Sequence, residues 1–156
     1  MLQFAIPGFG SLRIEHLVLD YNGTLAEDGK LLPGVRRRLQ TVSSMLALHV
    51  LTADTFGFAR NQVRGVTCKL TILPAKGQDT AKRSYVERLG RARVACIGNG
   101  RNDRLMLKAA ALGIVVTQKE GAASAAIAAA DLIVPDIIAA LELFTKPLRL
   151  TATLRT

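Results

Sequence analysis

Apolar residues in this chain gather into short runs, and between the runs they recur every three or four positions. HLVLD (16–20), LHVLT (48–52), CKLTIL (68–73), RVACIG (93–98), GIVV (113–116) and DLIV (131–134) read as buried strands. Pro33 opens a helix through about residue 47, with Val35, Leu39, Val42, Met45 and Leu46 on one face. Further helices are expected near 56–64, over 79–89 with Ala81, Tyr85, Val86 and Leu89 inward, over 103–110, near 121–129, and after Pro135. LQFAI and SLRIEH form a small N-terminal β-hairpin, turned by residues 7–10. Strands that are apolar throughout and separated by helices predict a parallel sheet covered on both faces. With right-handed crossovers this is an α/β fold, a three-layer doubly wound parallel sheet. No linker, repeat or low-complexity tract interrupts it, so one domain over 1–156 is expected.

Composition narrows the picture. The 156 residues are 49% hydrophobic but only 4% aromatic, without Trp, so the core rests on Leu, Val, Ile and Ala. The net charge of +9 is compatible with a phosphorylated or polyanionic partner. Its carriers are scattered, however, and the one tight cluster, Arg36-Arg37-Arg38, falls on a helix and reads as a solvated face. RNA binding is disfavoured, because aromatic stacking platforms and a recognisable RNA motif are lacking. Cys68 and Cys96 lie in apolar stretches without a CxxC pair, and read as reduced core thiols in a cytoplasmic protein. MLQFAIPGFG lacks the pattern of a signal peptide, and no charge-free apolar run reaches about 18 residues, so no membrane span is expected.

In open α/β sheets, ligands bind beyond the carboxyl ends of the strands. Those ends carry Asp20, Thr52 and the Gly98-Asn99-Gly100 loop leading to Asn102 and Asp103, and a lysine, Lys82 or Lys76, starts the helix before the fourth strand. Phosphoryl transfer fits this set. Asp20 can attack phosphorus as a nucleophile. Asp20, Asp103 and backbone oxygen near Asn22 offer hard ligands to Mg²⁺. The Thr52 hydroxyl and Lys82 ammonium can bind the remaining phosphoryl oxygens. Gly23 permits a tight reversal whose N–H groups can cradle the phosphate. His16 and His49 sit in or before apolar strands and read as structural, and Asp54 reads as a helix N-cap.

LVLDYNGTL, VLT, a lysine opening an amphipathic helix, and IGNGRNDRLML resemble the four motifs of the haloacid dehalogenase (HAD) superfamily over residues 14–135. Within it, Asp20-Tyr21-Asn22-Gly23-Thr24 and Thr52-Ala53-Asp54 look most like the phosphorylation domain of P-type ATPases and the small soluble proteins related to it. The resemblance implies a HAD-like Rossmannoid fold and a Mg²⁺-dependent hydrolase. It puts Gly23, Thr24, Thr52, Ala53 and Lys82 around the phosphate, and Asp20, Asn22, Asn99 and Asp103 around the cation. Lys82 is preferred to Lys76 because Val86 stands four places after it, where Lys76 has Thr80.

Two asparagines depart from the phosphatase pattern. The superfamily's second aspartate is a general acid/base; Asn22 has no proton to exchange, which costs about 10²–10⁴-fold. Asn99 removes one charge near the cation. Residues 25–47 have room for one helix only, so the chain is expected to lack a cap. Such an open site fits a large substrate or a lid borrowed from a neighbouring subunit, as in the tetrameric capless sugar-phosphate phosphatases, and points to a homo-oligomer. The implied partner is a phosphorylated small molecule or a phosphoprotein. The competing reading is a regulatory, phosphorylatable or phosphate-binding module without turnover.

Overall fold

The computed structural model describes residues 1–54 and 56–156. An antiparallel hairpin, β1 (Leu2–Ile6) and β2 (Gly10–Ile14), precedes the first strand of the main sheet, β3 (His16–Asp20). A second hairpin, β4 (Ala26–Glu27) and β5 (Lys30–Leu31), leads to α1 (Val35–Ser43), β6 (Ala47–Thr52), α2 (Ala59–Gln62), β7 (Lys69–Ile72) and α3 (Gln78–Leu89). β8 (Val94–Gly98) follows, then a 3-10 turn (Arg101–Asp103), α4 (Arg104–Ala109), β9 (Leu112–Val116), α5 (Ser124–Ile127), β10 (Leu132–Val134), α6 (Ile137–Thr145) and α7 (Pro147–Leu154).

Six strands form one parallel sheet in the order β10-β9-β8-β3-β6-β7. From central β3 the chain runs outward through α1 to β6 and β7, then returns to the other side of β3 at β8. The order reverses there, so a crevice opens beyond the carboxyl ends of β3 and β8. Alternation along the strands assigns the two faces. Leu17, Leu19, Val50, Ile97 and Ile114 join Val35, Leu39 and Val42 of α1 and Ile137, Leu141 and Phe144 of α6. Val18, Leu51, Cys96 and Val115 join Tyr85 and Val86 of α3 and Met106 and Leu107 of α4. Each fully buried aliphatic side chain adds about 1.5–3 kcal/mol, and together they fix the strand ends that carry the polar residues.

Several elements differ from the sequence pattern. Residues 26–31 are a hairpin, with Asp28 at φ 49° and Gly29 at φ 75°. Two consecutive left-handed residues are the type I′ turn that Asp-Gly favours. The first helix stops at Ser43, because Val42 O takes the N–H groups of both Met45 and Leu46 and the chain turns into β6. The Ala-rich stretch is helical only over Ser124–Ile127. A further helix, α7, starts at Pro147 and packs on β1. In the arginine cluster Arg36 and Arg37 are exposed on α1, Arg36 donating to Gln62 O and Arg64 O at the surface, and half-buried Arg38 pairs with Glu142. No helix among the described residues is long and apolar enough to cross a membrane. Both cysteines are free, Cys96 buried and Cys68 half-buried.

Candidate active site

β3 ends in Asp20 at the sheet centre, and its register against Leu51 sets Thr52 at the adjoining end of β6. β8 delivers the loop that turns into Asp103, and α3 crosses beneath with Lys82 in its second turn. The lysine Nζ donates to Asp20 Oδ1 and to Asp103 Oδ1, each at 2.6 Å. Lys82 and Asp103 are fully buried and Asp20 nearly so, whereas Lys76 is exposed. The lysine brought to the strand ends is therefore Lys82. Asp103 Oδ2 accepts the backbone N–H groups of Asn99 (3.0 Å) and Gly100 (2.8 Å). Thr24 Oγ lies 3.1 Å from Asp20 Oδ2 and 3.3 Å from Asn99 Oδ1, and its single proton can serve one of them.

Burial alone would lower the Lys82 pKa, but the charges of Asp20 and Asp103 and their hydrogen bonds outweigh it and raise it above the ordinary lysine value. Burial and the Asp20 charge push the Asp103 carboxyl up to about 6, against the pull of Lys82. The cluster holds two carboxylates on one ammonium. Without that ammonium two acids would face each other with little access to solvent.

The turn after Asp20 is tight. Gly23 has φ 77°, and a Cβ there would lie 2.4 Å from Asn99 Nδ2 and 2.8 Å from Glu120 Oε2. The Gly23 N–H donates to Ala26 O (2.8 Å) and the Thr24 N–H to Tyr21 O (3.2 Å). Both expected phosphate donors are thus committed inside the turn. What Gly23 supplies here is close approach, and Thr24 its hydroxyl. Thr52 Oγ accepts from Asp54 N at 2.9 Å, so its proton stays available to donate, and Ala53 sits half-buried between them. Asp54 accepts from Ala59 N at 3.0 Å and thus serves the first amide of α2, although the position before that helix belongs to Phe58.

Two residues here carry no motif. Glu120, in the loop after β9, is exposed, but its carboxyl reaches over Gly23. Local burial and the charges of Asp28, Asp20 and Glu27 raise its pKa. Gln118, two residues earlier, bonds the backbone of the Asp20 turn. Both act across long sequence separation, and only the loop's position after β9 signalled them. The histidines lie elsewhere: His16 Nδ1 is 3.1 Å from His49 Nε2, and His49 Nδ1 is 2.9 Å from the Tyr85 hydroxyl. Burial first, then the charges of His16 and Lys69, lower His49 to about 4.

The donor set suits a hard divalent cation. Asn22 Oδ1 is a buried acceptor with no hydrogen-bond partner among the described residues, and Asp20, Asp103 and Asn99 add side-chain oxygens around the same loops. No group of three or more His, Cys, Asp or Glu residues forms a metal cage among the described residues. Mg²⁺ does not ask for one: it is typically bound by one or two carboxylates, waters and substrate phosphate.

No protein-family model matches the chain. A 63-residue stretch is 49% identical to "Uncharacterized protein MJ0073" of Methanocaldococcus jannaschii, covering 40% of this chain and 68% of that one. A 39-residue stretch is 44% identical to MJ0072 of the same organism, covering 25% and 89%. Among solved structures, the 3-deoxy-D-manno-octulosonate 8-phosphate phosphatase of Moraxella catarrhalis, in complex with magnesium, phosphate and KDO, superposes with a TM-score of 0.66 at 18% identity. That match covers 85% of this chain and 86% of that one. The cobalt-bound octulosonate 8-phosphate phosphatase of Haemophilus influenzae gives 0.64 at 16% identity over 80% and 79%. A zinc-transporting PIB-type ATPase gives 0.59 at 20% identity over 79% of this chain and 20% of the pump. The chain belongs to the family of MJ0073 and is built on the HAD fold.

Proposed function

We propose that the protein is a Mg²⁺-dependent phosphohydrolase or phosphotransferase that works through an aspartyl-phosphate on Asp20. The observation that carries the reading is the buried Lys82 ammonium held 2.6 Å from both Asp20 and Asp103 at the sheet's switch point. Neighbours of this fold that are phosphatases, two of them with Mg²⁺ or Co²⁺, support it. Asp20, Asp103, Asn99 and the Asn22 backbone would hold the cation, which offsets phosphoryl charge and aligns the group for attack.

A carboxylate oxygen of Asp20 attacks phosphorus, the bond to the leaving oxygen breaks, and an acyl phosphate forms. Lys82 and the Thr52 hydroxyl stabilise the charge that builds on the phosphoryl oxygens. Water then attacks the acyl phosphate, releasing phosphate and regenerating Asp20. At both steps a proton must move, and Asn22 cannot move it. Turnover is therefore slow and favours leaving groups that need no protonation. The substrate is a phosphorylated small molecule or phosphoprotein that reaches an uncapped site, with a second copy of the chain as the lid.

The test is Mg²⁺-dependent phosphate release from p-nitrophenyl phosphate, acetyl phosphate and ATP. Wild type is expected to be slow and folded Asp20→Asn silent. Silence from both wild type and Asn22→Asp would leave a phosphate-binding module instead.

A further inference from the structure

We propose that Gln118 is a positioning residue, whose carboxamide brackets the turn after Asp20 to the head of α6 and so sets where Asp20 and Asn22 stand against the phosphoryl group. The proposal rests on the phosphoryl-transfer reading above.

Gln118 lies just past β9 at the carboxyl edge of the sheet, with a left-handed backbone at φ 43°. L residues adopt that region sparingly, and they hold it where the surroundings over-determine it. Here the main chain is pinned on both sides: Gln118 N donates to Pro135 O at 2.9 Å, and Gly121 N donates to Gln118 O at 3.3 Å. This conformation aims the side chain back over the site. Nε2 donates to Gly23 O at 2.8 Å and to Thr24 O at 2.9 Å, and Oε1 accepts from Ile137 N at 3.0 Å. Both amide protons are spent on two adjacent carbonyls of the catalytic turn.

The turn's own hydrogen bonds fix its shape but not its placement. Tyr21 O accepts from Thr24, Leu25 and Ala26, and Gly23 N donates to Ala26 O, all within one short segment. Placement requires ties to something rigid. Gln118 supplies one, joining the turn to the first residue of α6, a helix whose Ala139 amide is capped by the Asp136 carboxylate. It also holds Gly23 at the distance where a Cβ would collide with Asn99 and Glu120. The turn carries the residue that attacks and the residue at the leaving-group position, so a small shift there falls directly on the reacting geometry.

Gln118→Met keeps the length of the side chain and removes all three bonds. Gln118→Glu keeps the acceptor for Ile137 N and removes the two donors. Should Gln118→Met fail to fold, Gln118→Glu carries the same comparison. Two readouts are needed: amide hydrogen exchange of the metal-free protein, and kcat and KM for acetyl phosphate with Mg²⁺. Exchange should quicken at residues 23–26 in both variants and at Ile137 only in Gln118→Met, with β3 and β8 unchanged. The kcat should fall about 10- to 100-fold while KM moves less than about threefold, as expected for misalignment at the reacting centre. Unchanged exchange at 23–26, or an active wild type whose kcat survives both substitutions, overturns the positioning role. A wild type without turnover instead overturns the phosphoryl-transfer reading on which it stands.

Discussion

Helix α3 feeds two buried polar clusters that solve the same problem in opposite ways. Toward the carboxyl ends of the strands it sends Lys82 between Asp20 and Asp103. Three residues on, and so on the same helix face, it sends Tyr85 to His49, which in turn meets His16. β3 contributes to both, Asp20 from its last residue and His16 from its first. In the first cluster the charges of Asp20 and Asp103 outweigh burial at Lys82 and raise it, while burial and the Asp20 charge push Asp103 up to about 6. In the second, burial and two neighbouring positive groups depress His49 to about 4, and neutral hydrogen bonds remain. Burial alone therefore does not mark the candidate active site. What marks it is an ammonium set between two acids, beside the Asn22 Oδ1 acceptor that has no partner among the described residues.

Breaking the charged cluster should have the largest effect. Lys82→Met leaves two carboxylates buried together and should cost about 3–5 kcal/mol in denaturant unfolding. Next, Asn22→Asp tests whether the charged end lacks only a proton carrier: turnover should rise by about 10²–10⁴-fold. A smaller effect is expected at the neutral end. Tyr85→Phe removes one hydrogen bond from His49 and should cost about 1 kcal/mol, with phosphate release essentially unchanged.

The neutral cluster also implies a pH dependence. Folded His49 titrates at about 4 against 6.5 for an ordinary histidine, so the unfolded chain takes up the proton first. Stability from this group is fully present above about 6.5 and is lost as pH falls toward 4. Unfolding midpoints measured across that window should flatten in His49→Gln.

The sequence made Asp20, Thr52, Lys82 and Asp103 legible because each ends a strand or opens a helix whose apolar period is unmistakable. Lys82 could be told from Lys76 by the spacing to Val86, and the structure buries the one and exposes the other. The hairpin over residues 26–31 was missed despite Asp28-Gly29, since strands of two residues show no alternation to read. Gln118 and Glu120 were out of reach for another reason. Gln118 meets the turn after Asp20 across 94 and 95 residues of sequence, and contacts of that range leave no local pattern. The His16–His49 contact is likewise a product of sheet register, which sets β3 beside β6. Committed N–H groups at Gly23 and Thr24 also escape sequence, because a glycine announces a turn but not where its amides point.

The central claim is that Asp20 becomes phosphorylated and, for want of an acid at position 22, keeps its phosphoryl group. It is tested most directly by mass analysis of acid-quenched protein after brief exposure to acetyl phosphate and Mg²⁺. The account predicts one hydroxylamine-labile phosphoryl group on the peptide containing Asp20, persistent in wild type, short-lived in Asn22→Asp and absent from Asp20→Asn. A folded wild type that carries no label, or carries it on another residue, would contradict it.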